Sequence, residues 1–594
     1  MSAHYQAPLR DIRFLINELL QGGRTDEIEK FSEVTPDLID AILEEGARIC
    51  ENEFLAANAP GDEQGCTYHP DTRSVTTPNE YKQAYKAFAE GGWLSMALDE
   101  AYGGQAMPHL LGFVMEEMSC SANMSLSMYP GLTIGAMNLI SAHASEELKH
   151  KYLPRMATGE WTGTMCLTEP QCGTDLGLIK SKAVPNDDGS FALTGNKIWI
   201  TSGEHDLADN IIHLVLAKLP DAPSGVKGIS LFLVPKFLGE EAKDENRNPI
   251  WCTGLEHKMG IKGSATCFIS LEEATGWLVG EPHRGLHAMF TMMNDARLMV
   301  GLQGLGASVS AYQTALAFAK ERQQSRSVTG PKQPNQPADT ITVHPDVRRM
   351  LLRQKTMIEA NRALAYWTGM HIDVARHHKD PDQRQAADDF VQLLTPIVKA
   401  HLTDEGSTCC NLAIQTLGGS GYTKDWGIEQ LARDVRITRI YEGTNGIQAL
   451  DLVGRKLPSN GGRAMRSLLS LINDDIAKLE QQPHSEQVRH ALQDLQTATL
   501  WLSKEGLKDP EQAAQAASPF LRLMGLTLGG WLWLKMAALA KEALDKGSSE
   551  AAFYNAKIKS AAFFLSKVLP ETRLLLKEIE AGKEPLMAFL DEEF

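Results

Sequence analysis

The chain has 594 residues, 43% of them hydrophobic and 22% charged, with a formal net charge of −17. That length divides into three or four structural units with ample core, and the composition is that of an ordinary globular protein. The acidic balance excludes a nucleic-acid surface, because holding phosphates needs a basic patch. Nine cysteines without a C-x-x-C pair form neither a disulfide framework nor a zinc site, which points to a reducing cytoplasm and to no bound metal.

In chain order, Ile12, Leu15, Ile16, Leu19 and Leu20 follow helical spacing, while Asp11 and Glu18 make the start unlike a secretory or transit peptide. Helical character is expected up to about residue 160, with Glu146 to Tyr152 charged and periodic and Pro154 ending that helix. From about Thr162 to Gly280, short runs of strand formers such as 211–216 and 229–234 alternate with turn clusters such as 186–189 and 220–225. They predict a compact antiparallel β-domain. Helical spacing returns from Gly285 and persists to about Leu457, with Asn294 to Arg297 read as the start of a long helix running to Glu321–Ser325. The segment from Pro331 to Pro337 holds three prolines, so it is predicted to be a loop. The linker Pro458 to Gly462 introduces a last, nearly neutral helical region to Phe594. Its most apolar run, Leu523 to Leu534, is short for a bilayer and suits a buried helix. The expected units are 1–160, 161–282, 283–457 and 463–594.

Five segments carry chemistry. In Ile437 to Asn445, the carboxylate of Glu442 stands between Tyr441 and Gly443-Thr444, a setting that suits proton abstraction beside a carbonyl. On its own such a pair is more often a plain turn. Met165 to Asp175 is a strand followed by a turn rich in hydroxyls and amides. In Lys197 to Gly203, strand alternation puts Trp199 and Thr201 on one side, fit for a planar heteroaromatic or simply for core. Asn294 to Arg297 precedes the long helix, and Gln415 to Tyr422 is a glycine-rich break that allows a diphosphate to approach or merely caps a helix. No G-x-G-x-x-G follows a strand, so a Rossmann-bound dinucleotide is not indicated.

Together with Gly92-Trp93, Glu100 to Gly104 and Leu255 to Gly260, these segments resemble, in order, the acyl-CoA dehydrogenase family over roughly residues 80 to 455. The long start, the proline loop and the extra C-terminal helices are most similar to its larger bacterial branch, which includes 3-methylmercaptopropionyl-CoA dehydrogenases and broad-specificity acyl-CoA dehydrogenases. The resemblance implies an α+β multidomain fold: an N-terminal helical domain, a middle antiparallel β-domain and a C-terminal helical bundle, here with an additional C-terminal helical region. FAD would lie between subunits of a homodimer or homotetramer. Thr168 and Thr201 would meet the flavin ring and Trp199 would pack on it, while Thr174 would lie near the diphosphate and the CoA. Arg322, Gln415 and Gly419 would reach the FAD of a neighbouring subunit, and Thr444 would contact the adenine side of FAD. Arg297 would lie beneath the active-site floor, and Tyr441 and Gly443 beside the substrate, with Glu442 as the base. Two positions depart from the family: Ala296, where some members place their base, and Gly446, where a glutamine often contacts the cofactor.

The implied reaction is α,β-dehydrogenation of an acyl-CoA thioester to the trans-2-enoyl-CoA, with electrons passed to an electron-transfer flavoprotein. The α-proton is too weakly acidic for a free carboxylate, so the enolate needs hydrogen bonds, in this family from the base's own amide and a ribityl hydroxyl; one such donor contributes about 3 kcal/mol. Burial of Glu442 would strengthen it as a base. The implied substrates are short and medium acyl chains, 3-methylthiopropionyl-CoA among them, with the proline loop near the CoA entrance. An acyl-CoA oxidase shares the base and differs in oxygen access. A DNA-associated relative would need a basic C-terminal surface that is missing here.

Overall fold

The structure, a computed structural model, describes residues 3–239 and 241–594. Amphipathic spacing and capping build the first helical unit. After α1 (Leu9–Arg13), α2 (Pro36–Ile49) opens on Thr35, whose hydroxyl accepts from the Leu38 N–H, with Pro36 in its first turn. The next helices are α3 (Leu55–Gln64), α4 (Asn79–Glu90), the 35-residue α5 (His109–His143) and α6 (Glu146–Ala157). Two differences from the sequence reading appear here. A small hairpin, β1 (Thr67–His69) with β2 (Ser74–Thr76), interrupts the helices; strands of three residues are too short to show alternation. Pro154 also lies inside α6 rather than ending it. A proline there removes one intrahelical bond, and the burial of Leu153, Met156 and Ala157 keeps the last turn wound.

The middle unit comprises β3 (Trp161–Cys166), β4 (Lys182–Pro185), β5 (Phe191–Thr201), β6 (Asn210–Lys218), β7 (Ile229–Pro235), β8 (Ile250–Leu255) and β9 (Thr266–Leu278). Its pairings close on themselves in the order β6-β4-β5-β9-β7-β6, with β3 added on β6 and β8 on β9. Closure explains why β7 is buried at every position and β6 at all but its last. The sheet is not wholly antiparallel as expected: β3 runs parallel to β6, and β4 meets β6 in parallel at Lys182 and Lys218. A long connection carrying the β4–β5 pair separates β3 from β6, so no tight turn forces them antiparallel.

The third unit is helical. The long helix α7 (Gly285–Glu321) starts at Gly285 rather than at Asn294, because Ala288, Met289 and Met292 are buried and extend its apolar face backwards. It is followed by α8 (Pro345–His377), α9 (Pro381–Leu417), the single turn α10 (Gly419–Tyr422), α11 (Ile428–Val435) and α12 (Asn445–Asp451). Helices α7 and α9 cross at a glycine contact: a β-carbon on Gly304 would lie 2.7 Å from the Leu402 carbonyl oxygen, and one on Gly406 2.7 Å from that of Gly304. Only glycine lets the two backbones come this close.

The last unit is α13 (Arg463–Lys478), α14 (Ser485–Trp501), α15 (Pro510–Asp545), α16 (Ala551–Lys567) and α17 (Glu571–Glu580). The run Leu523 to Leu534 belongs to the 36-residue α15, which by length and mean hydropathy of 1.4 would cross a membrane. The shortness of the run is therefore no reason against a span. Burial is the deciding fact: 78% of its most apolar window lies inside the protein, where Trp533 Nε1 donates to the Thr356 carbonyl of α8 at 3.0 Å.

Candidate active site

The segment between α11 and α12 makes a tight 3₁₀ turn at Arg436–Arg439 and then enters left-handed backbone at both Glu442 (φ 57°) and Gly443 (φ 83°). For glutamate that conformation is strained, and the surroundings must hold it. They do so by hydrogen bonds. Lys399 Nζ, from the middle of α9, donates to the Gly443 carbonyl at 2.9 Å and to Asn445 Oδ1 at 2.8 Å. Gln448 Nε2 donates to the Glu442 carbonyl at 2.9 Å, and Asn445 Nδ2 to Asp404 Oδ1 at 3.0 Å. The Tyr441 hydroxyl donates to Gln303 Oε1 of α7. Among the described residues, the Glu442 backbone N–H meets no protein acceptor.

The Glu442 carboxyl opens on a cavity whose walls include Met128 and Gly131 of α5, Thr201 of β5, and Met299 and Gln303 of α7. Burial pushes its pKa above the ordinary carboxylate value, while Arg297 and Lys399 pull it down. Lys399 shows the reverse: burial lowers its ammonium to about 7, with Glu442 the chief influence raising it. The site thus holds a strengthened base between two cationic groups.

Of the expected flavin-side residues, Thr201 lines this cavity, and Trp199 precedes it by two positions on β5. The Ile198 N–H donates to the Thr168 carbonyl at 2.9 Å, which sets the end of β3 beside β5. A β-bulge between Lys197 and Ile200 puts Trp199 in left-handed backbone (φ 58°), so simple strand alternation does not govern it. Its indole nevertheless faces outward, 58% exposed, while Ile200 is buried and Thr201 is half-buried against the cavity. An exposed indole on the strand that also carries the cavity-lining Thr201 fits the face of a planar heteroaromatic ring.

Thr174, Arg297, Thr444, Arg322, Gln415 and Gly419 are not among the residues lining the cavity, although Arg297 is close enough to Glu442 to lower its pKa. Thr174 is exposed in the turn after β3. Arg297 is buried within α7, its Nη1 3.7 Å from Asp451 Oδ2, and its Nε has no partner among the described residues. Thr444 is exposed, and its hydroxyl caps α12 by accepting from the Ile447 N–H at 3.3 Å. Arg322, Gln415 and Gly419 are exposed where α7 and α9 end, and none of them lines the Glu442 cavity. There Phe318 packs edge-on against Trp426, with ring centroids 5.1 Å apart. The proline loop supplies no lining residue to the cavity either. Sequence reading missed Lys399, Asn445, Gln448 and Glu116, the last on the same cavity wall. For Lys399 and the Glu116-Glu117 pair the one available signal was charge set inside an apolar helical run.

Comparison with known proteins covers the four units. Residues 66–160 match "Acyl-CoA dehydrogenase, N-terminal domain", 164–274 the "middle domain", 283–457 the "C-terminal domain", and 468–589 "Acetyl-CoA dehydrogenase C-terminal like". The chain is 41% identical to the 3-methylmercaptopropionyl-CoA dehydrogenase of Ruegeria pomeroyi, over 96% of each chain. It is 36% identical to a butyryl-CoA dehydrogenase of Syntrophomonas wolfei, over 100% of this chain and 99% of the other. It is 35% identical to the broad-specificity linear acyl-CoA dehydrogenase FadE5 of Mycobacterium tuberculosis, over 99% of each. In fold it is similar to the acyl-CoA dehydrogenase of Bacillus anthracis complexed with FAD, with a TM-score of 0.74 and 22% identity over 97% of this chain and 92% of that one.

Proposed function

The chain belongs to the acyl-CoA dehydrogenase family, and we propose that Glu442 is the base with which it draws an α-proton from an acyl-CoA thioester. The enzyme is an oxidoreductase and its cofactor is FAD. One observation carries the reading: the Glu442 carboxyl, raised in pKa and carried on a strained left-handed loop, shares a cavity with Thr201 of the strand that bears the exposed indole of Trp199. When bound, FAD accepts the hydride that leaves the β-carbon. The protein's own groups do the rest. Glu442 takes the α-proton, and its backbone N–H, free of protein partners, donates to the thioester oxygen as negative charge builds there. Arg297 and Lys399 partly offset the rise in its pKa that burial causes.

Trp199, Thr168 and Thr201 would hold the ring face, and Thr174 would serve the diphosphate and the CoA. Tyr441 and Gly443 border the acyl group. Arg322, Gln415, Gly419 and Thr444 serve FAD shared between subunits of a homodimer or homotetramer, which their exposure in a single chain supports. The electron acceptor is an electron-transfer flavoprotein. The substrates are short and medium acyl-CoAs, 3-methylthiopropionyl-CoA among them, in keeping with the names of the relatives.

Glu442→Gln should leave the protein folded, yellow and able to bind acyl-CoA while abolishing flavin bleaching by substrate, because the amide keeps the shape and cannot accept the proton. Bleaching at more than a few per cent of the wild-type rate would remove Glu442 from the role. Stoichiometric peroxide release during turnover would instead make the protein an acyl-CoA oxidase.

A further inference from the structure

Two adjacent glutamates on α5 have opposite circumstances. Glu117 is fully engaged: Arg362 Nε donates to its Oε1 at 2.8 Å and the Tyr366 hydroxyl to its Oε2 at 2.7 Å. Glu116, 7% exposed, accepts one hydrogen bond among the described residues, from the Cys120 thiol to Oε1 at 3.1 Å. Its second oxygen has no protein partner. The carboxyl lines the Glu442 cavity and also an adjoining apolar cavity that runs on past Trp93, Met96 and Phe113. Gly131 faces it across the junction, where even a β-carbon would stand 3.9 Å from each carboxyl oxygen. Other polar groups at the junction are already paired: Asn138 Nδ2 donates to Asp295 Oδ2 at 2.9 Å, and Ser127 Oγ to the Met124 carbonyl at 2.9 Å.

A polar group held in an apolar pocket is costly unless a partner completes it. A plain hydrocarbon chain passing Glu116 would seal the second oxygen away from any partner. A chain carrying an ether or hydroxyl oxygen, or a thioether sulfur, would supply an acceptor. Burial raises this carboxyl to about 7, so the protonated form that donates such a bond is well populated near neutrality.

We propose that Glu116 is a specificity-determining residue: its carboxyl hydrogen-bonds an oxygen or sulfur atom carried by the acyl chain beyond the β-carbon, and so selects heteroatom-interrupted acyl-CoAs over their all-carbon isosteres. The proposal rests on the dehydrogenase reading of the Glu442 cavity and names the substrate class within it.

The test uses the FAD-loaded enzyme and matched substrate pairs: pentanoyl- and heptanoyl-CoA, and analogues with oxygen or sulfur in place of one methylene at chain position four or six. The quantity read is the kcat/KM ratio of analogue to parent, compared between proteins. For at least one pair, Glu116→Leu and the near-isosteric Glu116→Met should lower that ratio by roughly threefold to tenfold, the value of one net hydrogen bond. Glu116→Gln, which keeps an N–H donor, should retain most of it. General damage to the fold lowers both members of a pair and leaves the ratio unmoved. Ratios unchanged in both apolar variants for every pair would overturn the proposal. Failure of the wild type to bleach its flavin with any parent chain would instead overturn the dehydrogenase reading itself.

Discussion

Lys399 shows how much of the site's chemistry lies in residues that touch no reacting atom. It is fully buried in α9, and its ammonium is spent on the loop, at the Gly443 carbonyl and Asn445 Oδ1. Two effects of its removal can be separated. Lys399→Met loses two charge-assisted bonds, each contributing a net of about 1.5–3 kcal/mol, and lets the left-handed loop relax, so kcat should fall about tenfold or more. It also removes a positive charge that lowers the Glu442 pKa. That pKa, already raised by burial, must rise further, and because the base works only when ionised, the acid limb of the kcat/KM profile must move to higher pH. A fall in rate with the acid limb unmoved would reduce Lys399 to a positional strut. At this scale the sequence was legible where residues come in company. Glu442 could be found because Tyr441, Gly443 and Thr444 flank it and four other segments accompany it. Lys399 sits in Ile397-Val398-Lys399-Ala400 and Glu116 in Val114-Met115-Glu116-Glu117-Met118, where a charge inside an apolar run is a weak signal that does not say what it faces.

Among the elements, the proline loop between α7 and α8 shows where composition gives the outcome and misses the cause. Three prolines announce a loop, but a buried carboxylate orders it. Asp339 accepts from the backbone N–H groups of Ser327, Lys332 and Gln333 at 2.7–2.9 Å, with Arg326 Nη1 at 3.3 Å. These donors, the Ser327 N–H foremost, hold its pKa down to about 2. The folded value lies below the unfolded one, so the tether is fully present above about pH 4 and is lost as pH falls through about 2. Asp339→Ala should therefore free the loop at neutral pH, and trypsin should cut at Lys332 in the variant well before it cuts the wild type. Equal resistance of the two proteins would show that the prolines alone keep the loop ordered. The missed elements have physical reasons of the same kind. The β1–β2 hairpin is too short to alternate, the parallel pairing of β3 with β6 depends on a partner 49 residues away along the chain, as Thr164 and His213 are, and the bulge at Trp199 is invisible to a period-two count.

The whole molecule is where the sequence was least informative, because a nearly neutral helical region does not announce what it packs on. In the structure, the region from Arg463 onward is joined to both earlier helical units. Arg522 Nη1 pairs with Glu405 of α9 at 3.0 Å, and Arg10 Nε near the N-terminus with Glu550 at 2.8 Å. At the centre is Lys557 of α16, 3% exposed, 2.7 Å from Glu359 of α8 and 2.5 Å from Asp11 of α1, with the rings of Phe14, Trp533 and Phe553 around it. Three distant parts of the chain thus meet on one ammonium. Burial alone would raise the Asp11 pKa, yet Lys557 and its cationic neighbours hold it at about 2. Lys557→Met would take that partner from the half-buried Asp11 and leave Glu359 with Lys355 alone, a loss of about 1–3 kcal/mol. Because the Asp11 pKa is depressed on folding, this contribution is present above about pH 4 and fades as pH falls towards 2. The stability gap between wild type and variant should therefore narrow over that range. If the C-terminal region is part of one cooperative structure, thermal unfolding of Lys557→Met at neutral pH will show a single transition at a lower temperature, with flavin release and loss of helix coinciding. Two transitions, with only the earlier one displaced and the flavin retained through it, would mean that the last helices fold as an independent attachment.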